Sequence, residues 1–196
     1  MITAIKRTVA SVYLLGTCTA GHADSAAQPV DPALVAALKQ AVENVSDVPE
    51  QLDTMVWLAN MSQGLSTRVK DPFYRVHLLR MIHKEATRAD LDPKLVLAVI
   101  QVESRFDRFA VSSSGARGLM QIMPFWKKEI GHPDDDLFNP RINLRYGCAI
   151  LRYYLDQKQG RLSDALAAYN GSMTRTEYVD RVSLALRDRW QPLVTE

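Results

Sequence analysis

Residues 93–124 read PKLVLAVIQVESRFDRFAVSSSGARGLMQIMP, an apolar run followed by a segment rich in serine and glycine. Within residues 95–102 only Gln101 is polar, so the sequence predicts a helix that is buried on nearly all sides. Glu103 lies seven positions after Val96 and continues the same apolar face of that helix. A carboxyl group is therefore expected to project from an apolar surface near the carboxyl end of a buried helix.

Two features of this position disfavour a negative charge on Glu103. Burial removes the carboxylate from water, and the helix dipole is negative at the end where Glu103 lies. Both effects raise the pKa of a carboxyl group, and a carboxyl that stays protonated near neutral pH can serve as a general acid. The helix by itself leaves a second interpretation open, in which Glu103 is a partly exposed residue at a frayed helix end.

The rest of the chain is predicted to be mainly α-helical. A capping side chain stands directly before a proline, as is typical of a first helical turn, at Asp31-Pro32, Asp71-Pro72, Asp92-Pro93 and Asn139-Pro140. Apolar residues recur at helical spacing in three stretches, which are Leu52, Met55, Val56 and Ala59, then Phe73, Val76, Leu79 and Ile82, and finally Val179, Val182, Leu186 and Trp190. No run alternates well enough to demand a strand, although a short hairpin between Phe106 and Met120 stays open.

The amino-terminal residues 1–23 are predicted to be a secretory signal that is removed on export. Lys6 and Arg7 precede an apolar stretch, and the segment ends in small residues. The sequence around Cys18 matches a lipoprotein signal poorly. The processed protein is therefore expected in the periplasm, without a lipid anchor or an integral membrane segment. Processing leaves Cys148 as one thiol, so no intrachain disulfide can form, and its apolar helical surroundings indicate a buried core position.

Charge and spacing argue against several kinds of site. The chain has 24 Lys+Arg and 22 Asp+Glu, and residues 1–23 hold two of the basic residues, so the processed chain carries 22 minus 22, or no net charge. This balance argues against nucleic acid held in a general basic field. The four histidines form no HExxH motif, and the acidic run at residues 134–136 lacks the alternation of a calcium loop. We therefore expect no metal and no other cofactor.

Residues 103–124 resemble the catalytic motif of the soluble lytic transglycosylase family, whose domain is lysozyme-like. The shared elements are Glu-Ser, Ala-Val-Ser and Gly-Ala-x-Gly-Leu-Met-Gln-Ile-Met-Pro, at the spacing that is typical of the family. Three further blocks agree in order, namely Phe138-Asn139-Pro140 ahead of Asn143 and Gly147, ALAAYN at residues 165–170, and Tyr178-Val179. The resemblance covers roughly residues 91–182. It departs from the family after Asn170, where Gly171-Ser172-Met173 replaces the common Ala-Gly-Pro turn.

The resemblance implies a role for individual residues. Glu103 corresponds to the catalytic glutamate, and the implied substrate-binding positions are Ser112, Met120, Gln121, Met123, Tyr169 and Asn170. Tyr169 corresponds to a tyrosine near that glutamate, which could hydrogen-bond the carboxyl or stabilise charge as the bond breaks. Ser112 also fits a simple turn, and Asn170 also fits a backbone-bonding role in the groove wall. The two methionines fit the core as well as they fit an apolar floor for a sugar ring.

The resemblance implies an enzyme that acts on peptidoglycan glycan strands. Such an enzyme cleaves the β-1,4 bond between N-acetylmuramic acid and N-acetylglucosamine without water and leaves 1,6-anhydro-muramic ends. Hydrolytic glycosidases use two carboxylates. Here Asp107 fits a solvated charge cluster, and the acidic run at residues 134–136 fits a loop. The alternatives are a goose-type lysozyme-like hydrolase, and a glycan-binding or secretion-assembly protein with weak or no turnover.

These inferences predict a monomer with two parts after the signal. Residues 24–71 form a helical amino-terminal extension, and residues 72–190 form the lytic transglycosylase domain, which is lysozyme-like and similar to the goose type.

Overall fold

The computed structural model describes residues 48–171 and 176–190. Its helices are α1 (Val48–Leu65), α2 (Pro72–Arg88), α3 (Pro93–Glu103), α4 (Trp126–Ile130), α5 (Pro140–Gln157), α6 (Leu162–Tyr169) and α7 (Thr176–Ala185), followed by a π-helical turn (Leu186–Trp190). The predicted signal at residues 1–23 and the predicted cap at Asp31 lie outside the described residues. None of the helices among the described residues combines the length and the apolar character that a membrane span requires.

Three helices begin where the Asx-Pro pairs predict them. The carboxylate of Asp71 accepts a hydrogen bond from the backbone N–H of Phe73 at 2.9 Å, and that of Asp92 accepts one from Lys94 at 2.8 Å. Asn139 caps α5 in the same way. Each side chain satisfies a backbone donor that the first helical turn leaves unpaired.

Helix α3 is the most deeply buried element, as its sequence predicts. All six of its residues from Leu95 to Ile100 are buried, and the helix packs against α2, α7 and the π-helical turn. Trp190 closes this core from the π-helical turn and is fully buried. Cys148 is also fully buried within α5, which confirms the core position expected for it. The carboxyl end of α3 is therefore held on several sides.

The sequence-based interpretation of α1 was wrong about which face of the helix is buried. The helix is confirmed, but Leu52, Met55 and Val56 are exposed by 55%, 63% and 60% of their surfaces. Helix α1 instead buries the face that carries Leu58, Met61 and Leu65, because that face meets α2 and the π-helical turn. Periodicity identifies a helix, whereas the neighbouring helices decide which face is covered.

The burial predicted for the apolar stripe of α2 is confirmed only in part. Leu79 and Ile82 are fully buried in α2, but Phe73 lies at the exposed start of the helix with 87% of its surface accessible. The first turn of α2 therefore extends beyond the core.

The segment between α3 and α4 contains no strand among the described residues. Arg117 forms isolated antiparallel bridges with Val111 on one side and with Ile122 on the other. The hairpin left open between Phe106 and Met120 is thus reduced to these bridges, and the mainly α class is confirmed. The bridges fold the segment into a compact loop against the end of α3.

Candidate active site

The chain reverses direction immediately after Glu103, the last residue of α3. Arg105 and Phe106 follow in the left-handed region, with φ of 55° and 71°. Ser104 secures the turn, because its buried hydroxyl donates to the carbonyl of Leu119 at 2.8 Å. Left-handed backbone is costly for residues other than glycine and persists where the surroundings fix it. The reversal leaves the Glu103 side chain at the open end of a rigid helix.

The carboxyl group of Glu103 has one tyrosine as its direct partner. The hydroxyl of Tyr178, on α7, donates a hydrogen bond to Oε1 of Glu103 at 2.7 Å. Burial raises the pKa of Glu103 to about 7, against the opposing effects of this hydrogen bond and of the nearby Arg181 guanidinium. The raised pKa predicted from the position of Glu103 is confirmed, and burial is its dominant cause.

Asn143 fixes the loop that faces Glu103. Its side-chain NH₂ group donates to the carbonyls of Arg117 and Leu137, each at 2.8 Å. Its side-chain oxygen accepts from the backbone N–H of Met120, also at 2.8 Å. Gly118 lies directly against this amide with φ of 76°, and a Cβ there would overlap the Asn143 side chain and the Leu137 carbonyl. Asn143 therefore holds the loop in place, and Gly118 leaves the space that the asparagine side chain needs.

A cleft of about 250 Å³ opens in front of Glu103. The residues that line it come from α3, the loop, α4, α5 and the end of α6, namely Glu103, Ser112, Ser114, Ala116, Gln121, Ile122, Met123, Trp126, Ile150, Tyr169 and Asn170. The structure thus brings together all the residues proposed for the site except Met120. Asn170 caps the end of α6 through its backbone and faces the cleft from there.

Met120 lies outside the cleft, and the hydroxyl of Tyr169 has a partner other than Glu103. Met120 is fully buried beneath Gly147 and fills the core, so its side chain is not a floor for a sugar ring. The hydroxyl of Tyr169 donates to the backbone carbonyl of Met120 at 2.8 Å and does not hydrogen-bond Glu103. Tyr169 therefore ties α6 to the loop while it lies near Glu103, and Tyr178 makes the hydrogen bond to the carboxyl.

Two polar side chains of the cleft already form hydrogen bonds with the backbone of the loop. The hydroxyl oxygen of Ser112 accepts a hydrogen bond from the backbone N–H of Ala116 at 3.0 Å, which supports the interpretation of Ser112 as a turn residue. The hydroxyl proton is not used in this bond and can be donated to a ligand. The side-chain NH₂ group of Gln121 donates to the carbonyls of Ala110 and Gly118. Gln121 also has φ of 49°, a strained value for this residue type, and these bonds hold it there. Its side-chain oxygen is left to accept a hydrogen bond from a ligand.

Sequence reasoning assigned no role to six residues of the site. Tyr178 binds the carboxyl, and the other five line the cleft, namely Ser114, Ala116, Ile122, Trp126 and Ile150. Tyr178 had a usable signal, because the Tyr178-Val179 pair is shared with the family and because Tyr178 lies four residues before Val182 on the buried face of the last helix.

Glu103 is the one carboxylate among the residues that line the cleft. Asp107 is exposed, and its side chain accepts from the backbone N–H of Phe109 at 2.9 Å within its own turn. In the acidic run, Asp135 accepts hydrogen bonds from the Tyr146 hydroxyl and from the backbone N–H of His132. The carboxylates considered as a second catalytic group therefore form hydrogen bonds elsewhere and do not line the cleft.

An open hollow of about 640 Å³ adjoins the cleft and shares Trp126 and Ile150 with it. Its other apolar walls are Ile130, Tyr146 and Tyr153. Trp126 thus stands between a polar cleft and a more apolar hollow.

Comparisons with known proteins identify the family of the chain. A family model described as the Transglycosylase SLT domain matches residues 80–183. A transglycosylase of Enterobacteria phage PRD1 is 38% identical over 89 residues, which are 45% of this chain and 32% of the phage protein. The membrane-bound lytic murein transglycosylase C of Histophilus somni (strain 2336) is 36% identical over 122 residues, with 53% of this chain and 34% of that protein covered.

A solved structure of an inactive mutant of the lytic transglycosylase Slt from Pseudomonas aeruginosa is 28% identical to the chain. The match covers 55% of this chain and 20% of that chain, with a TM-score of 0.44. This chain spans about a third of the length of the phage and Histophilus relatives, since the matches cover 32% and 34% of those proteins.

Proposed function

Since the chain belongs to the Transglycosylase SLT domain family, we propose that it is a peptidoglycan lytic transglycosylase that uses Glu103 as acid and then as base. The phage relative is named a transglycosylase and the Histophilus relative a lytic murein transglycosylase, and the proposed substrate is the glycan strand of peptidoglycan. Residues 1–23 would direct the protein to the periplasm, where this substrate lies.

The observation that carries the proposal is a single carboxyl group with a pKa of about 7 in a polar cleft. At neutral pH such a group is protonated in a large fraction of molecules, and it can also accept a proton after giving one away. A hydrolase would need a second carboxylate to activate water or to act as a nucleophile. Glu103 stands alone among the lining residues, and this favours a nucleophile supplied by the substrate.

The reaction then proceeds with one proton cycled through Glu103. The carboxyl gives its proton to the glycosidic oxygen that leaves with N-acetylglucosamine, while the bond from that oxygen to C1 of the muramic residue breaks. The C6 hydroxyl of the same muramic residue bonds to C1 and gives its proton to the carboxylate. The product is a 1,6-anhydro-muramic end, the carboxyl group is restored, and no water is consumed.

The cleft offers suitable contacts for an N-acetylated sugar. The Ser112 hydroxyl proton and the Gln121 side-chain oxygen supply a donor and an acceptor. Met123 and Trp126 provide apolar surface against which the C–H face of a sugar ring can lie. These contacts bind the sugar, whereas the chemical step depends on Glu103.

Glu103→Gln tests the proposal directly. The amide is nearly isosteric but has no acidic proton, so the rate of peptidoglycan solubilisation should fall on the order of 10²–10⁴-fold or more. Glu129→Gln is the matched control, because Glu129 is exposed on α4 and lines neither the cleft nor the hollow beside it. Mass spectrometry of muropeptides released from purified sacculi should show 1,6-anhydro ends. Reducing muramic ends as the main product would instead establish a hydrolase.

A further inference from the structure

Four arginines surround a hollow of about 420 Å³ that is separate from the cleft. Arg68 follows α1, Arg105 follows α3, Arg181 lies on α7, and Arg189 lies in the π-helical turn. We call this site the arginine hollow. It shares no lining residue with the cleft, so an inference about it does not rest on the proposed function.

The positive charge of the arginine hollow is not balanced within the described part of the chain. Asp188 is the one acidic residue in its lining, and Asp188 is paired with Arg187 at 2.7 Å. Four arginines and one aspartate give the lining a formal charge of +3. Partial burial, together with repulsion from Arg189 and Arg105, lowers the pKa of Arg68. Repulsion between these like charges therefore destabilises the folded state.

The arginines differ in how firmly the fold holds them. Arg189 donates to the carbonyl of Gly64 at 2.9 Å and to the Thr67 hydroxyl, and Arg181 makes a long contact of 3.4 Å to a backbone carbonyl. Among the described residues, the side chains of Arg68 and Arg105 make no hydrogen bond or ion pair, and only their backbone N–H groups are paired. These two guanidinium groups are the ones with donors to offer a ligand.

One amide oxygen in the same lining also has no partner. The side-chain oxygen of Gln101 is shielded from solvent and accepts no hydrogen bond in the described part of the structure. Buried polar atoms of this kind are costly unless something satisfies them.

We propose that the arginine hollow binds a phosphate group, in the form of a small phosphate-bearing anion or a phospholipid headgroup. Guanidinium groups match phosphate oxygens with paired hydrogen bonds, and such charge-assisted bonds are stronger than neutral ones. A formal charge of +3 suits a group with more than one negative charge better than a single carboxylate. The concave shape suits a discrete group that several donors contact together.

The test uses the double variant Arg68→Gln/Arg105→Gln, which removes the two arginines that the fold does not hold. Pyrophosphate binding is measured by calorimetry at low salt, and sedimentation with phosphatidylglycerol vesicles is measured beside it. The wild type should bind at least one probe, and the double variant should bind it at least about tenfold more weakly, because charge-assisted bonds are lost. Arg80→Gln is the control, since Arg80 is exposed on α2 and does not line the hollow.

The two probes distinguish the sources of the phosphate. If the wild type binds pyrophosphate but not the vesicles, the ligand is a small anion. If the wild type binds the vesicles and the double variant does not, the ligand is a lipid headgroup. Without any anion, the double variant should melt no lower than the wild type, because repulsion has been removed. The proposal is overturned if the wild type binds neither probe, if the double variant binds equally well, or if it melts clearly lower.

Discussion

Replacement of Glu103 by glutamine should make the protein more stable at alkaline pH, although it removes the proposed catalytic group. Burial raises the pKa of Glu103 from an ordinary 4.5 to about 7. Each pKa unit corresponds to about 1.4 kcal/mol. Ionised Glu103 therefore costs the folded state about 3 kcal/mol, and the uncharged amide carries no such cost.

The pH dependence follows from the sign of the shift. Below pH 4.5 the carboxyl is protonated in both the folded and the unfolded chain, so the wild type pays no penalty. As the pH rises toward 7 the unfolded chain loses its proton first, and the free energy of unfolding of the wild type falls. The advantage of Glu103→Gln should be about 1 kcal/mol or less at pH 5 and about 3 kcal/mol at pH 8. Above pH 8 the advantage stays constant.

Urea denaturation followed by circular dichroism at pH 5 and pH 8 measures this difference. Tyr178 can still donate to the amide oxygen of the variant, so the main change is the loss of the ionisable group. Glu129→Gln, which replaces an exposed glutamate, should change the stability little and equally at both values. The account of Glu103 is refuted if the advantage is the same at pH 5 and pH 8, or if the variant is less stable at pH 8.

Three further substitutions separate the roles of neighbouring residues. Tyr178→Phe removes the hydrogen bond that lowers the pKa of Glu103, so the alkaline limb of the solubilisation rate should move to higher pH. Tyr169→Phe leaves the Met120 carbonyl unpaired, so it should lower the free energy of unfolding by about 1–3 kcal/mol without moving that limb. Asn143→Ala leaves the N–H of Met120 and the carbonyl of Leu137 unpaired, while the Arg117 carbonyl keeps its bond from Ile122, so thermal melting should reveal a loss of about 2 kcal/mol or more.

The features that the sequence predicted correctly depend on nearby residues. The caps at Asp71, Asp92 and Asn139 bond to backbone groups two or three positions away, so the local pattern contains all the information. The burial of α3 follows from its nearly continuous apolar residues. The raised pKa of Glu103 follows in turn, because that residue continues the buried face to its last position.

The features that the sequence could not supply depend on distant contacts. Tyr178 lies 75 residues from Glu103 in the chain, and Tyr169 lies 49 residues from Met120. Either hydroxyl satisfies the same chemical requirement, and only the packing of α6 and α7 decides which one reaches the carboxyl. The exposed stripe of α1 has the same origin, since the position of α2 selects the buried face.

The contacts around Glu103 also explain why its proposed activity requires the completed fold. In an unfolded chain the carboxyl has an ordinary pKa of 4.5, so at neutral pH it is ionised and has no proton to give. Burial in the folded protein raises the pKa, and Tyr178 and Arg181, both on α7, then bring it down to about 7. Because α7 is the last α-helix that the structure describes, this balance is reached only when the end of the domain has packed against α3. Glu103 can therefore give up and take back a proton at neutral pH only in the assembled core.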